Sequence, residues 1–321
     1  MTDTAQPPRF EARVAPHPAD PLASYGPLIA DRTPAGFPDR PYELFEVHPH
    51  TPTIGAEIRG VRLGGDLPDD VMGDLHRALL EWKVLFFRDQ DIDRADHRAF
   101  ASRWGDLEHH PFFQHTYGGQ TDVDVATLAK DSVVKGVENQ WHNDVTWRAT
   151  PSLLAVLRAV EVPPVGGDTL WSDTAAAYDL LPDDIKNQIE YLEAEHDWVK
   201  SFGRGLDDAE LARLREAFPP VTHPVVRVIP ETGRKVLFVN INFTQRILGM
   251  SQDESNELLM KLYRQVQRPE FQVRLRWQKN TIAMWDNRTC QHYAVSDYAP
   301  QRRVMERISV IGDAPIGPSA G

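Results

Sequence analysis

Two stretches of the C-terminal third alternate apolar and polar residues with a period of two: FQVRLRWQKNTIAMWDN (271–287) and RRVMERISVIGD (302–313). A period of two puts one row of side chains into a core and the other outside it, which predicts β-strands. VLFFRD (84–89) is a short apolar run of the kind that forms a buried strand, and YELFEVHPHTPTIGAEIRGVRL (42–63) alternates β-branched with polar residues. SLLAVLRAVEV (152–162) fits strand or helix equally by periodicity. Between these segments lie helical patterns. DDVMGDLHRALLEWK (69–83) repeats apolar residues at Val71, Leu75, Leu79 and Trp82, and DRADHRAFASRWG (93–105) starts on Asp93 as N-cap and stops at Gly105. TAAAYDLLPDDIKNQIEYLEAE (174–195) reads as helix broken at Pro182. SQDESNELLMKLYRQVQ (251–267) carries a capping box, Ser251 with Glu254. Many strands with inserted helices, no internal repeat and no regular strand–helix alternation predict a mixed, mainly β fold, a sandwich or jelly roll decorated by helices. PPVGGDTLWSD (163–173) supplies a turn and a strand, and no glycine-rich phosphate loop is present.

Residues 1–41, rich in Pro, Ala and Asp, are expected to form an extended or poorly ordered arm, with one domain over 42–321. At 321 residues with 41% hydrophobic content the chain can bury a sizeable core. It has no apolar run of membrane-spanning length and no secretory leader pattern. A net charge of −12 argues against nucleic acid as a partner. The single cysteine, Cys290, excludes an internal disulfide and suits a cytoplasmic protein.

NQWHNDVTW (139–147) places His142 and Asp144 two residues apart. In extended backbone such a pair shares one face. It fits a metal site, half of an acid–base device, or a polar turn between buried aromatics. A further histidine would complete a two-histidine, one-carboxylate set with open coordination positions, the arrangement of non-heme Fe(II) oxygenases; zinc more often takes a closed tetrahedral set. MWDNRTCQHYAVSDYAPQRRVMERISVIGD (284–313) offers His292 in a polar, aromatic-flanked turn, followed by Arg302, Arg303 and Arg307. Arg303 and Arg307, four apart, share a face in a strand or a helix. On an acidic protein they suggest anions held by guanidinium forks, against the plainer reading of surface pairs with Asp and Glu. Trp141, Trp147, Trp171 and Trp285 read as packing, Cys290 as an inert buried thiol, and His109 as part of a polar loop. His115 and His223 have no partner at ligand spacing, and DDAELARLRE (207–216) reads as a solvated helix face.

With WHNDVTW, GGDTLW, HPVVRV, GRKVLFVN and WDNRTCQHYAVSDY followed by QRRVMERISVIGD, the chain from Glu43 to Asp313 resembles the taurine dioxygenase family of Fe(II)- and 2-oxoglutarate-dependent dioxygenases. The resemblance implies a double-stranded β-helix (jelly-roll) core. It implies iron held by His142, Asp144 and His292, and the distal carboxylate of 2-oxoglutarate held by Arg303 and Thr169. It implies a substrate sulfonate held by Arg307 with His110, in a pocket walled by Phe202 and Phe243. Where taurine enzymes place a tyrosine and an asparagine near the substrate amine, this chain has Phe113 and Glu138, with Asn139 adjacent. The anion end is kept and the far end reshaped, which suits an alkyl sulfate ester or another sulfonate as well as taurine. The implied reaction consumes O2 and 2-oxoglutarate and hydroxylates the carbon bearing sulfur or sulfate. It yields succinate, CO2, an aldehyde and sulfite or sulfate. The same chemistry on a carboxylate substrate (an aryloxyalkanoate or amino-acid-like intermediate) and a non-catalytic binding protein on this fold are the alternatives. A small anionic substrate, O2 and assembly into a dimer or tetramer complete the expectation.

Overall fold

The computed structural model describes residues 27–110, 112, 124–131 and 139–319. Its centre is a seven-stranded sheet built from β1 (Glu46–Pro49), β2 (Ala56–Arg59), β3 (Val84–Phe87), β4 (Ala126–Lys130), β5 (Ser152–Glu161), β13 (Ile282–Asp286) and β15 (Arg303–Ile311), in the order β1-β2-β3-β13-β5-β15-β4. Only β2 and β3 pair in parallel; the other neighbours are antiparallel. A three-stranded sheet, β12 (Gln272–Leu275), β6 (Thr169–Asp173) and β14 (Cys290–Ala294), faces it.

Period-two alternation fixes which residues enter the space between the sheets. Val84 and Phe86, Ala155 and Leu157, and Ala283 and Trp285 of the large sheet meet Trp171, Val273, Leu275 and Cys290 of the small one. Their alternates, Leu85, Phe87, Leu154, Val156, Ile282, Met284, Ile308 and Val310, pack outward under α1 (Asp69–Trp82) and α2 (Arg94–Ser102). On β15 the same alternation turns Met305 inward, and Arg303 and Arg307 with it. Glu306 faces the helices and pairs with Arg94 and Arg158. The protein is thus a jelly-roll core with inserted and flanking helices.

A second apolar cluster lies beyond the small sheet. There α3 (Thr174–Asp179), α4 (Asp183–Ile189) and α7 (Gln252–Val266) cover β7 (Glu193–His196), β8 (Val221–Pro224), β11 (Thr244–Ile247) and the β9–β10 hairpin (Val226–Val228 with Lys235–Leu237). The Asp93 cap and the Ser251–Glu254 capping box are both formed. Two sequence expectations need correcting. The segment 174–195 is helical only to Ile189; its last residues form β7, because Ala194 and His196 are buried between β8 and β11 while Glu193 and Glu195 face outward. His292 lies not in a turn but within β14, paired with Trp171 of β6. The ambiguous 152–161 stretch is strand β5.

Residues 27–41 hold no helix or strand, yet they are fastened to the core. Arg32 pairs with Glu81, and the carbonyls of Asp31 and Arg32 accept from Arg234. The buried Lys83 ammonium donates to the Arg32 and Thr53 carbonyls and sits 3.2 Å from Asp173. Among the described residues no helix is long and apolar enough to cross a membrane.

Candidate metal centre and anion pocket

Two histidines far apart in sequence are brought together by their own backbones. His142 and His292 form an isolated antiparallel bridge, with N–H···O distances of 3.1 and 2.8 Å. The intervening Asn143 points the other way, and its Nδ2 donates to the carbonyls of Asn287 (2.8 Å) and Cys290 (2.9 Å). Asn287 answers from the turn before β14. Its Oδ1 accepts from the Asp144 N–H at 2.7 Å, and its Nδ2 donates to the carbonyls of Asp144 and Ser152. Past Asp144 the chain turns through Val145, whose φ of 48° is unfavourable for a β-branched residue. The surroundings hold it there. Val145 packs with Phe112, Trp147 and Phe243, and the Thr146 hydroxyl is bonded to Asn240 Nδ2 and His196 Nδ1, each at 3.0 Å.

The result is a cluster of three ligand atoms, all within 4.8 Å of one another. Asp144 Oδ1 lies 3.7 Å from His142 Nε2 and 3.8 Å from His292 Nε2. Two donors bound side by side on one ion through bonds of about 2.1 Å sit roughly 3 Å apart, so a small inward adjustment suffices. His142 Nδ1 donates to the Gln140 carbonyl at 2.8 Å, leaving the lone pair on Nε2. Asp144 Oδ2 is buried and has no hydrogen-bond partner among the described residues, an orphaned acceptor whose chemistry suits a metal ion. Burial opposes the Asp144 charge, but Arg307, His292, His142 and His110 outweigh it and hold the carboxyl well below the usual range. Burial, reinforced by His142, pushes His292 down to about 3. An ionised carboxylate beside a neutral imidazole is the protonation state a divalent metal needs.

A cavity of about 900 Å³ opens in front of this cluster. The inner face of β15 supplies Arg303 and Arg307. Arg307 Nη1 donates to Asp144 Oδ1 at 2.9 Å. Arg303 Nε donates to the Gly167 carbonyl at 3.1 Å, and its guanidinium lies 5.8 Å from the Tyr298 ring centroid and 6.0 Å from that of Trp277. Gly167 has φ +71°, and a Cβ there would stand 3.1 Å from Arg303 Cδ, so glycine is what lets the guanidinium lie against this turn. Thr169 Oγ1 accepts from Trp277 Nε1 at 3.0 Å. His110 is driven down to about 3, first by burial and then by Arg307, and is neutral. Its Nδ1 accepts from the Phe112 N–H at 3.3 Å, so the ring proton is on Nε2. Phe202 meets His110 edge-on at 5.4 Å and stacks on Phe243 at 6.1 Å.

His142, Asp144, His292, Thr169, Arg303, His110, Phe202, Phe243 and Arg307 therefore line one cavity. Phe113, Glu138 and His115 lie outside the described residues; Asn139, next to Glu138, lines the cavity. Arg302 stays out of it and pairs with Glu161 at the surface. Cys290 is buried, with its thiol driven well above its ordinary value by burial. His223 bonds the Arg148 carbonyl, and His109 pairs with Asp124. Sequence reading missed Asn143 and Asn287, the residues that lock the ligands. The only signal was that Asn143 alternates with two candidate ligands and so faces the protein behind them.

Residues 46–309 match the model of the family described as "Taurine catabolism dioxygenase TauD, TfdA family". The chain belongs to this family. It is 37% identical over 289 residues to the alkylsulfatase of Acinetobacter baylyi, covering 88% of this chain and 89% of that one. It is 38% identical over 281 residues to an alpha-ketoglutarate-dependent sulfate ester dioxygenase of Pseudomonas putida, covering 85% and 91%. Among solved structures, a taurine dioxygenase from Burkholderia xenovorans superposes with a TM-score of 0.73 at 33% identity, covering 86% and 92%. As a member of the taurine dioxygenase family the protein is an oxidoreductase that uses Fe(II) and 2-oxoglutarate (alpha-ketoglutarate), and its two-histidine, one-carboxylate cluster suits that metal.

Proposed function

We propose that the protein hydroxylates the carbon bearing a sulfate ester or sulfonate, releasing sulfate or sulfite together with an aldehyde, succinate and CO2. The observation that carries this reading is Arg307, a guanidinium on the inner face of β15 that reaches the ligand cluster from the substrate side. When bound, iron and 2-oxoglutarate supply the oxidising power toward a C–H bond. The chain's own residues position and exclude. His142, Asp144 and His292 hold the iron. Arg303 and Thr169, on facing strands of the cavity wall, hold the distal carboxylate of 2-oxoglutarate; a planar fork suits a carboxylate better than a point charge would. Arg307 fixes the substrate anion so that its neighbouring carbon faces the metal. Neutral His110, carrying its proton on Nε2, adds a hydrogen bond to that anion without adding charge. Phe202 and Phe243 wall the organic part and keep water away.

Succinate and sulfur release, measured together over a panel of hexyl sulfate, taurine and phenoxyacetate, test this. Equimolar succinate and sulfate from hexyl sulfate is the expected result. Succinate formation with phenoxyacetate but with neither sulfur compound would overturn the substrate assignment and leave the dioxygenase chemistry standing.

A further inference from the structure

The described lining of the cavity carries five cationic side chains, Lys130, Lys200, Arg204, Arg303 and Arg307, and one carboxylate, Asp144. The whole chain has the opposite balance, 35 Lys and Arg against 47 Asp and Glu. Asp144 is committed to the metal cluster. On the reading above, Arg303 takes 2-oxoglutarate and Arg307 takes the sulfate or sulfonate. Of the three that remain, Lys130 is buried and already engaged, which leaves Lys200 and Arg204. They stand two residues either side of Phe202, on the four-residue helix α5 (Val199–Phe202) and the turn that follows it. Both are exposed, and neither pairs with another described residue. The cavity lining thus joins the inward-facing cations Arg303 and Arg307 and the apolar side chains of Val145, Phe202, Ile241 and Phe243 to two solvent-exposed cations, Lys200 and Arg204, whose exposure puts them at its opening. Its volume is near the top of the range of roughly 300–1,000 Å³ that encloses drug-sized ligands, more than a two-carbon sulfonate needs.

We propose that Lys200 and Arg204 form a distal anion subsite, and that the preferred substrate is bipolar. One end is the sulfate ester or sulfonate held by Arg307, the middle is an apolar chain against Phe202 and Phe243, and the far end is a second acidic group, a carboxylate. This rests on the substrate reading above and deepens it. An acidic protein ordinarily repels a dianion; two cations at the mouth reverse the local field and reward the second charge.

The test compares hexyl sulfate with 6-(sulfooxy)hexanoate, the same chain ending in a carboxylate, by sulfate release from the iron-loaded enzyme. The wild type should show kcat/KM about tenfold higher for the carboxylated ester, the scale of charge pairs at a solvent-exposed rim. The double variant K200A/R204A should lower kcat/KM for the carboxylated ester about tenfold more than for hexyl sulfate, and K200R/R204K should restore the difference. Both substitutions lie at exposed positions, so folding is not at stake. An equal fall for both esters would reduce the two cations to general steering and overturn the subsite. So would a wild type that prefers hexyl sulfate. Sulfate release from neither ester, with succinate formed from another class, would instead bring down the substrate reading, and the subsite with it.

Discussion

At the inner end of the cavity His142, Asp144 and His292 sit on backbone that is bonded from both sides; at the outer end Lys200, Phe202 and Arg204 sit on a four-residue helix and an exposed turn. Asp144 and His292 are buried and His142 is nearly so, and their neighbours Asn143 and Asn287 spend every described side-chain contact on fixing carbonyls and N–H groups around them. Lys200 and Arg204 fix nothing. The contrast separates two jobs. Ligand atoms must be placed to within a fraction of an ångström before a metal can bind. A wall that only has to fit the organic part of a substrate can vary without disturbing that geometry.

The sharpest break would come from His142→Ala, which should abolish both turnover and iron binding in an anaerobic titration. A variant that kept its activity would remove the cluster from the chemistry altogether. Next in size, Arg303→Ala should raise the apparent constant for 2-oxoglutarate about a hundredfold, the equivalent of roughly 2.7 kcal/mol for one charged pair in a desolvated pocket. A crossed result, in which Arg307→Ala weakens 2-oxoglutarate and Arg303→Ala affects only the substrate, would exchange the two roles.

Asn287→Ala sharpens the comparison most directly. It leaves the Asp144 N–H and the carbonyls of Asp144 and Ser152 without their partner, at a cost of about 1–3 kcal/mol in stability. If positioning is its role, iron affinity should fall with it by about 10–100-fold. Phe202→Ala, at the outer end, should instead raise KM and leave iron affinity within about twofold. Equal iron affinities in the two variants would show that the inner end needs no such lock.

A last break concerns pH. His97 and His223 are buried and held neutral, each driven down to about 4 mainly by desolvation. Their folded-state values lie below the ordinary value near 6.5, so the unfolded chain takes up protons first as the pH falls. Their contribution is complete above about pH 6.5 and is lost between there and about pH 4, at up to about 1.4 kcal/mol per pH unit for each histidine. Urea denaturation of the metal-free protein at pH 7 and pH 5 measures this. Equal midpoints would mean that these rings are not the buried neutral groups they are taken to be.

What the sequence made readable follows from the range of the interactions involved. The inward aim of Arg303 and Arg307 is a property of alternation within one strand, and the Asp93 and Ser251 caps are contacts three residues long; all of these are formed as expected. His142 and Asp144 were recognisable as a pair because they are neighbours. The partnership of Asn143 with Asn287, the placing of His292 in a strand rather than a turn, and the switch from helix to strand at β7 depend on what arrives from distant parts of the chain. Glu193–His196 is too charged to announce a strand by itself. It becomes one because β8 and β11 offer it two edges.

The bridge between His142 and His292 ties metal supply to the survival of the fold. An unfolded chain keeps His142 and Asp144 close but loses His292, so it is a poor competitor for the ion. An ion that binds only the folded form adds its free energy to folding, about 2.7 kcal/mol when it is present at a hundred times its dissociation constant. Chelation should therefore lower the melting temperature as well as stop turnover. In a cell short of iron, the metal-free protein would be left more exposed to proteolysis, and its abundance would follow the metal it depends on.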